Sequence, residues 1–340
     1  GGWHDAGDYG KFSVTAALAA GIMLHAYGLY PAAFARLDEG QDTGQLPTVL
    51  GEVKWELDWL LKMQEPGGGV YHKLTSKGWT GNYPPHQDPG KRYIFAVSST
   101  ATADFAAVMA RASTVYEAYD PEFASRVLAA AEAAWRWLSE NPQLTPPGGF
   151  KNPAGVHTGA YGDGDDRDER FWAAAELFRA TGADEYNSFV QSLFWRPAAA
   201  GPPNWLSVSA LGMFAYADSS WLETNADIVA QIRSDVAAYA DQVADRGHKD
   251  AYSVVLDRAQ YYWGSNGVLL NEAVVLLYAD HFAQNRAHQE VVMEQLHYVL
   301  GRNANAKSYI TGIGHNPVRK PFHQPSMTGS AVDPVPGLLS

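Results

Sequence analysis

Gly1-Gly-Trp-His-Asp5-Ala-Gly-Asp8-Tyr-Gly-Lys11 sets two carboxylates three residues apart, among a flexible glycine and three aromatic or imidazole rings, directly ahead of an apolar run. Two acids at that spacing can address one water molecule. The charge on each disfavours ionisation of the other, while hydrogen bonds to the ionised form do the reverse, so the pair can be tuned as a base and its helper. The same residues allow a second reading. Asp8 would cap the helix that follows, and Asp5 would be a solvated turn residue.

Outward from this stretch, apolar residues recur at helical rather than alternating spacing. The pattern predicts helices over 13–27, 47–64, 98–116, 121–140, 168–181, 183–194, 206–216, 221–244, 265–283 and 287–300, with few strands. Pro and Gly cluster over 65–69, 82–90, 146–155 and 312–325, marking long loops of the kind that carry function. With no linker and no internal repeat, residues 1–340 read as a single domain.

Composition narrows the chemistry. A hydrophobic content of 46% over 340 residues suffices for a sizeable core. The balance of 37 acidic against 25 basic residues, a net charge of −12, argues against nucleic acid and favours a neutral or cationic ligand. The absence of cysteine excludes disulfides and thiolate zinc sites. No apolar run has the length of a membrane span, and no basic-then-apolar leader opens the chain. No glycine-rich phosphate loop precedes a helix in a suitable context.

Four further segments follow the opening motif. They are Ser98-Ser-Thr-Ala-Thr-Ala-Asp104-Phe, Tyr161-Gly-Asp-Gly-Asp-Asp-Arg-Asp168-Glu169-Arg-Phe-Trp172, Tyr262-Trp-Gly-Ser-Asn266, and Leu300-Gly-Arg-Asn303 running into Ser308-Tyr-Ile-Thr-Gly-Ile-Gly314. Together and in this order, the five resemble glycoside hydrolase family 9, the inverting cellulases and related exo-acting β-glycosidases. The resemblance covers nearly the whole chain. It implies an all-α fold, an (α/α)6 toroid with the substrate groove across one mouth. About ten of its twelve helices are expected here, with a first helix ahead of the opening motif and a further segment after Ser340.

The resemblance also assigns roles. Asp8 would be the general base that takes a proton from water, and Asp5 the partner that holds the same water. Inversion needs a second, protonated carboxyl about 6.5–9.5 Å from the base. In the family that acid is a Glu in the carboxy-terminal segment, and its motif is not found up to Ser340. Glu272 and Glu169 sit in helical patterns and are not assigned the role.

The loop Gly312-Ile-Gly-His315-Asn-Pro-Val-Arg319-Lys-Pro-Phe322-His323-Gln324-Pro-Ser326 is similar to the family's substrate loop, a Pro-His-His-Arg-Pro-Ser type run. Here His323 and Ser326 match. Phe322 stands for the first His and Gln324 for the Arg, exchanging a charged five-donor fork for an amide. The loop from Trp79 to Tyr93 resembles the one lining the other side of the cleft, with His86, Asp88 and Arg92 as sugar partners. From the residues alone, it is equally a Pro-rich loop pinned by Asp88 and Arg92. Tyr262 and Trp263 are further candidates, since the C–H face of a pyranose packs on a ring. The helical Trp55, Trp59, Trp135 and Trp137 are expected in the core.

Relatives hold a structural calcium at the acid pair matching Asp168 and Glu169, and hard oxygen ligands suit that ion. The alternative is that these acids complement the positive end of the following helix, worth roughly 0.3–1 kcal/mol each. No organic cofactor is expected. The expected partner is a β-1,4-glucan such as cellulose or cello-oligosaccharides, with neither nucleic acid nor membrane. Two alternatives are an exo-acting enzyme releasing glucose or glucosamine, and a sugar-binding toroid without the acid. The resemblance implies a secreted protein, with a cytoplasmic one as the alternative.

Overall fold

The structure, a computed structural model, describes residues 1–40, 44, 46–194, 200–328 and 333–340. Its long helices alternate between two kinds of surface. After a short strand β1 (Lys11–Phe12), α1 (Ser13–Leu29) runs inside, the short α2 (Pro31–Leu37) turns away, and α3 (Thr48–Met63) returns outside. Strands β2 (Lys73–Thr75) and β3 (Tyr93–Ile94) precede α4 (Ser99–Tyr116, inside) and α5 (Pro121–Glu140, outside). Then come α6 (Arg167–Thr181, inside), α7 (Asp184–Leu193, outside), α8 (Ser209–Ala217, inside), α9 (Ala226–Lys249, outside), α10 (Ser265–Ala283, inside) and α11 (Gln289–Val299, outside). A five-residue helix, α12 (Gln324–Thr328), lies near the carboxyl end.

Burial explains the alternation. Sixteen of the eighteen residues of α4 and all nine of α8 are buried, as expected for helices surrounded by others. In α9 only six of twenty-four are buried, and Ile232, Val236, Ala240, Val243, Ala244 and Gly247 form one stripe facing inward. Five inside–outside pairs thus build the toroid, and the inner helices enclose one contiguous apolar core. All ten sequence-predicted helices are present.

Their ends follow local chemistry. The predicted start at 221 moves to Ala226 because the Asn225 side chain accepts from the Asp227 and Ile228 N–H groups. Likewise the Ser98 hydroxyl caps α4, Asp120 caps α5, and Gly182, at φ +70°, closes α6. Trp55 corrects the sequence reading. It lies on the outer face of α3 and is 57% exposed, whereas Trp59 and Trp135 are buried.

Strands were largely illegible in the sequence because they are two or three residues long. They form an antiparallel sheet in the order β1-β2-β3, with Phe12 opposite Lys73 and Leu74 opposite Ile94. This sheet fastens the opening loop to the loops of the same mouth. No single helix among the described residues is long and apolar enough to cross a membrane. The α1–α2 pair passes that test by length and composition only, bent by 98°.

At the centre of the inner ring lies a carboxylate. Glu176 of α6 stands 2.8 Å from His25 Nε2 of α1 and 3.9 Å from Arg111 of α4, and accepts from Trp172 Nε1 at 3.3 Å. The other His25 nitrogen contacts the Tyr278 hydroxyl of α10. Burial, then the Arg111 charge, pushes His25 down to about 4, so the ring is neutral. With its proton on Nε2 it serves both neighbours. Burial alone would raise the Glu176 pKa, but Arg111 and His25 hold it below the ordinary value. Replacing Glu176 with Ala leaves the Arg111 cation buried without its partner. The expected loss is about 3–5 kcal/mol, read as a lower urea midpoint at unchanged m-value.

Candidate active site

The opening motif forms a closed loop on the mouth of the ring. The Asp5 N–H donates to the Gly10 carbonyl at 2.9 Å, and the buried Tyr9 donates its hydroxyl to the Tyr83 carbonyl at 2.6 Å. Gly7 is required by a close approach, since a Cβ there would lie 1.8 Å from the Phe322 carbonyl oxygen. Phe12 is the N-cap of α1 and makes no side-chain cap. Asp8 therefore does not cap the helix.

The two acids have different surroundings. Asp5 is held from both sides: Thr15, in the first turn of α1, donates to Oδ1, and the Tyr161 hydroxyl donates to Oδ2 at 2.7 Å. Burial raises its pKa, the two hydroxyls oppose that, and the Asp8 charge adds to it. Asp8 accepts only the Gly10 N–H, on Oδ1 at 2.7 Å, leaving Oδ2 without a partner among the described residues. Asp8 also borders a cavity of about 220 Å³.

That cavity is lined by Asp8, Tyr9, Gly10, Ser76, Gly78, Trp79, Thr80, Asp88, Arg92, His157, Thr158, Gly159 and Gln324. Across it, Asp88 accepts from Thr80 at 2.7 Å, from the Gly90 N–H at 3.0 Å and from Arg92 at 2.6 Å. Burial works to raise the Asp88 pKa, but these three donors bring it below the ordinary value. Arg92 lies over the Tyr9 ring at 5.6 Å, so the pair also buttresses the Asp8 loop.

Gln324 is buried and committed to structure. Its backbone N–H donates to the Gly7 carbonyl at 2.6 Å, and its side-chain amide donates to the Gly81 carbonyl. His323 Nδ1 lies 2.8 Å from Ser326 Oγ, and burial lowers its pKa. Phe322 is 51% exposed, with Trp79 stacked on it at 5.3 Å and Trp263 meeting it edge-on at 6.4 Å. Three rings thereby make a strip that runs from the cavity wall outward.

Not every expected residue reaches the cavity. His86 is exposed on the turn from Pro84 to Gln87 and faces Gln87, while Tyr262 is 56% and Trp263 86% exposed. None of the three lines the cavity, and neither do Asp5, held by Thr15 and Tyr161, and His323, beside Ser326. Conversely, Thr15, Tyr161 and His157 belong to the site and were not singled out. Tyr161 carried one signal, its place ahead of Gly-Asp-Gly-Asp-Asp in a turn where it takes a φ of +47°.

The acidic run lies below this mouth. Asp168 accepts the Val208 N–H at 2.8 Å, and burial raises its pKa. Glu169 and Asp104 are both raised well above the carboxylate range, by burial and then by neighbouring acids. Glu169 Oε2 and Asp104 Oδ1 are buried oxygens with no hydrogen-bond partner. These hard, orphaned oxygens fit a cation. Among the described residues no three Asp, Glu, His or Cys side chains are grouped to hold a metal, so further ligands would be backbone oxygens or water. Glu272 is bound by Tyr239, Gln260 and Arg246 and is not among the cavity's lining residues.

The sequence model of glycosyl hydrolase family 9 matches residues 1–340. The chain belongs to this family. Endoglucanase D of Acetivibrio thermocellus is 33% identical over 350 residues, covering 99% of this chain and 54% of that protein. A cellodextrinase of Butyrivibrio fibrisolvens is 34% identical over 358 residues, covering 100% of this chain and 64% of its own length. The chain thus spans little more than half of the first relative. Among solved family 9 structures, AaCel9A in complex with cellobiose-like isofagomine superposes with a TM-score of 0.93 at 33% identity, covering 99% of this chain and 64% of that one. The helical pairs described above are those of the family 9 (α/α)6 barrel.

The two hydroxyls on Asp5 stabilise its ionised form. Tyr161→Phe is therefore expected to raise the Asp5 pKa further and to cost about 1–3 kcal/mol of stability. Carboxyl 13C titration and denaturant unfolding read the two effects.

Proposed function

We propose that this chain carries the water-activating part of an inverting β-1,4-glucanase. The observation that carries the reading is the division between the two acids: Asp5 is clamped by Thr15 and Tyr161, while Asp8 keeps Oδ2 free beside a polar cavity. In this reading, Asp8 Oδ2 accepts a proton from water as its oxygen attacks the anomeric carbon. Asp5 orients that water through its backbone-fixed loop.

The bond to the leaving sugar needs a proton from a second carboxyl. Of the cavity's other acids, Asp88 is bound to Arg92 and stays ionised, so it is unsuited to donate. We assign the general-acid role to no residue between 1 and 340. The polar rim offers directional partners for hydroxyls, and the strip Trp79–Phe322–Trp263 offers faces for pyranose rings. The relatives' names, an endoglucanase and a cellodextrinase, support a β-1,4-glucan as substrate. A polymer of that kind is met outside the cell, which favours secretion.

We also propose a structural calcium held by Asp168 and Glu169. Bound there, the ion would neutralise the buried acids and tie the start of α6 to its loop. Chelation is expected to lower the melting temperature of the wild-type protein and to leave Glu169→Gln unmoved, as calorimetry would record.

In the full-length protein, Asp8→Asn is expected to lower turnover of carboxymethyl cellulose and cello-oligosaccharides by about 10²–10⁴-fold. Oligosaccharide affinity by calorimetry should stay within about threefold, a change of well under 1 kcal/mol. Undiminished turnover would remove Asp8 from the role, and loss of binding alone would make it a contact residue.

A further inference from the structure

Charge is not spread evenly over this chain. Against a net charge of −12, the stretch 66–103 holds four basic residues, Lys73, Lys77, Lys91 and Arg92, and one acid, Asp88, while 141–162 holds Lys151 and no acid. The two stretches meet. The His157 N–H donates to the Lys77 carbonyl at 2.6 Å, and the Lys73 ammonium donates to the Gly159 carbonyl at 2.6 Å. Together they build one wall of the cavity that Asp8 borders, so an acidic protein presents a locally basic surface at its site.

The cations of that wall differ in their freedom. Lys73 is buried and committed to Asn152, Thr158 and Gly159, and Arg92 is closed on Asp88 at 2.6 Å. Lys77 and Lys91 are exposed, and their ammoniums lie 5.3 and 5.5 Å from the centre of one ring, that of Tyr93. The ring is itself fixed. Tyr93 pairs with Thr75 across the sheet and packs against the cluster of Phe95, Phe150 and Val156. Among the described residues neither ammonium is in a salt bridge, and Asp88, the acid of this stretch, is already taken.

An aromatic face attracts each ammonium, but the two like charges gathered on it repel one another. A carboxylate brought to this place is attracted by both. The patch also adjoins the cavity: Ser76 and Gly78, on either side of Lys77, line it, as does Arg92, next to Lys91. His157 completes the edge, since a Cβ on Gly78 would lie 4.0 Å from the His157 Cβ. Two residues beyond Lys77, Trp79 begins the strip of rings by stacking on Phe322.

We propose that Lys77 and Lys91 form a subsite for a carboxylate-bearing pyranose, so that the favoured substrate is a β-1,4-glycan carrying uronates, in the chain or as branches. The inference names the substrate class of the cleft and rests on the β-1,4-glucanase reading.

In the full-length enzyme at low salt, kcat/KM is compared on hydroxyethyl cellulose, which is neutral, and on cellulose oxidised at C6, whose uronates lie in the chain. The wild-type ratio is expected to favour the oxidised polymer. Lys77→Gln combined with Lys91→Gln should cut that ratio by about three- to tenfold, as the loss of two exposed ion pairs allows, while Lys77→Arg with Lys91→Arg keeps it. Salt at about 0.5 M should lower the wild-type ratio in the same way, because exposed charges are screened. Repeating the comparison with a cello-oligosaccharide bearing a glucuronate branch tells a branch uronate from one in the chain. A ratio that the double Gln variant leaves unchanged on both acidic substrates, whether the separate rates hold or fall together, overturns the proposal. Calorimetry on the Asp8→Asn protein reads the same selectivity without turnover: the acidic oligosaccharide should bind more tightly than its neutral counterpart and lose that advantage in the double Gln background. Equal binding of the two overturns the proposal, whereas absence of turnover on every polymer counts against the hydrolase reading alone.

Discussion

One ionised carboxylate in a ring of apolar helices sets the terms for the fold. Inner helices packed among others have little exposed polar face with which to fix their rotation, and apolar packing alone tolerates several registers. Glu176 supplies direction, because a buried carboxylate must be met by donors at defined positions. Its partners are the His25 ring of α1, the Trp172 N–H of α6 itself and the Arg111 charge of α4, and His25 passes the constraint on to Tyr278 of α10. Gly21 and Gly28 make room for it, since a Cβ at either would press on Trp172 or Arg111. Four inner helices are thereby locked in one arrangement, and the loops at the mouth inherit fixed starting points.

On that base, two aspartates three residues apart take opposite characters. Asp5 is anchored to α1 through Thr15 and to the next loop through Tyr161, so it behaves as part of the scaffold. Asp8 is placed by its own turn and by the sheet that follows, and keeps its outer oxygen free. Hydroxyl donors suit the first role because they orient an acid without adding charge. Across the cavity, the Asp88–Arg92 pair is closed on itself and presents little net charge to a neutral sugar.

Much of this was legible in the sequence. Long helices announced themselves because inner ones such as α1 and α8 are mostly apolar and outer ones such as α5 and α9 carry a stripe, and the acid pair was visible because its members are near neighbours. What stayed hidden depends on meetings across the chain. Thr15 and Tyr161 converge on Asp5 from different elements, and no spacing rule connects them. The strands were too short to alternate, and α2 and α12 were too short for a helical period. Trp55 shows the limit of reading an aromatic as core: on an outer helix, one residue's shift around the axis turns a buried ring into an exposed one. Gln324 shows another. Read from the sequence as a sugar partner, it is engaged by Gly81 and Gly7 and serves as a clasp.

That clasp joins segments far apart in the sequence. The bond from Gln324 to the Gly7 carbonyl spans more than three hundred residues, and the Phe322 carbonyl rests on the bare Cα of Gly7. During synthesis the loop holding Asp5 and Asp8 emerges well before Phe322 and Gln324, and must wait for the helices between them before its cover arrives. Closing so large a loop is entropically slow relative to the helical pairs, which form from local contacts. The barrel can therefore be largely assembled while its mouth is still open, and the water-handling aspartates are among the last residues to be set in place.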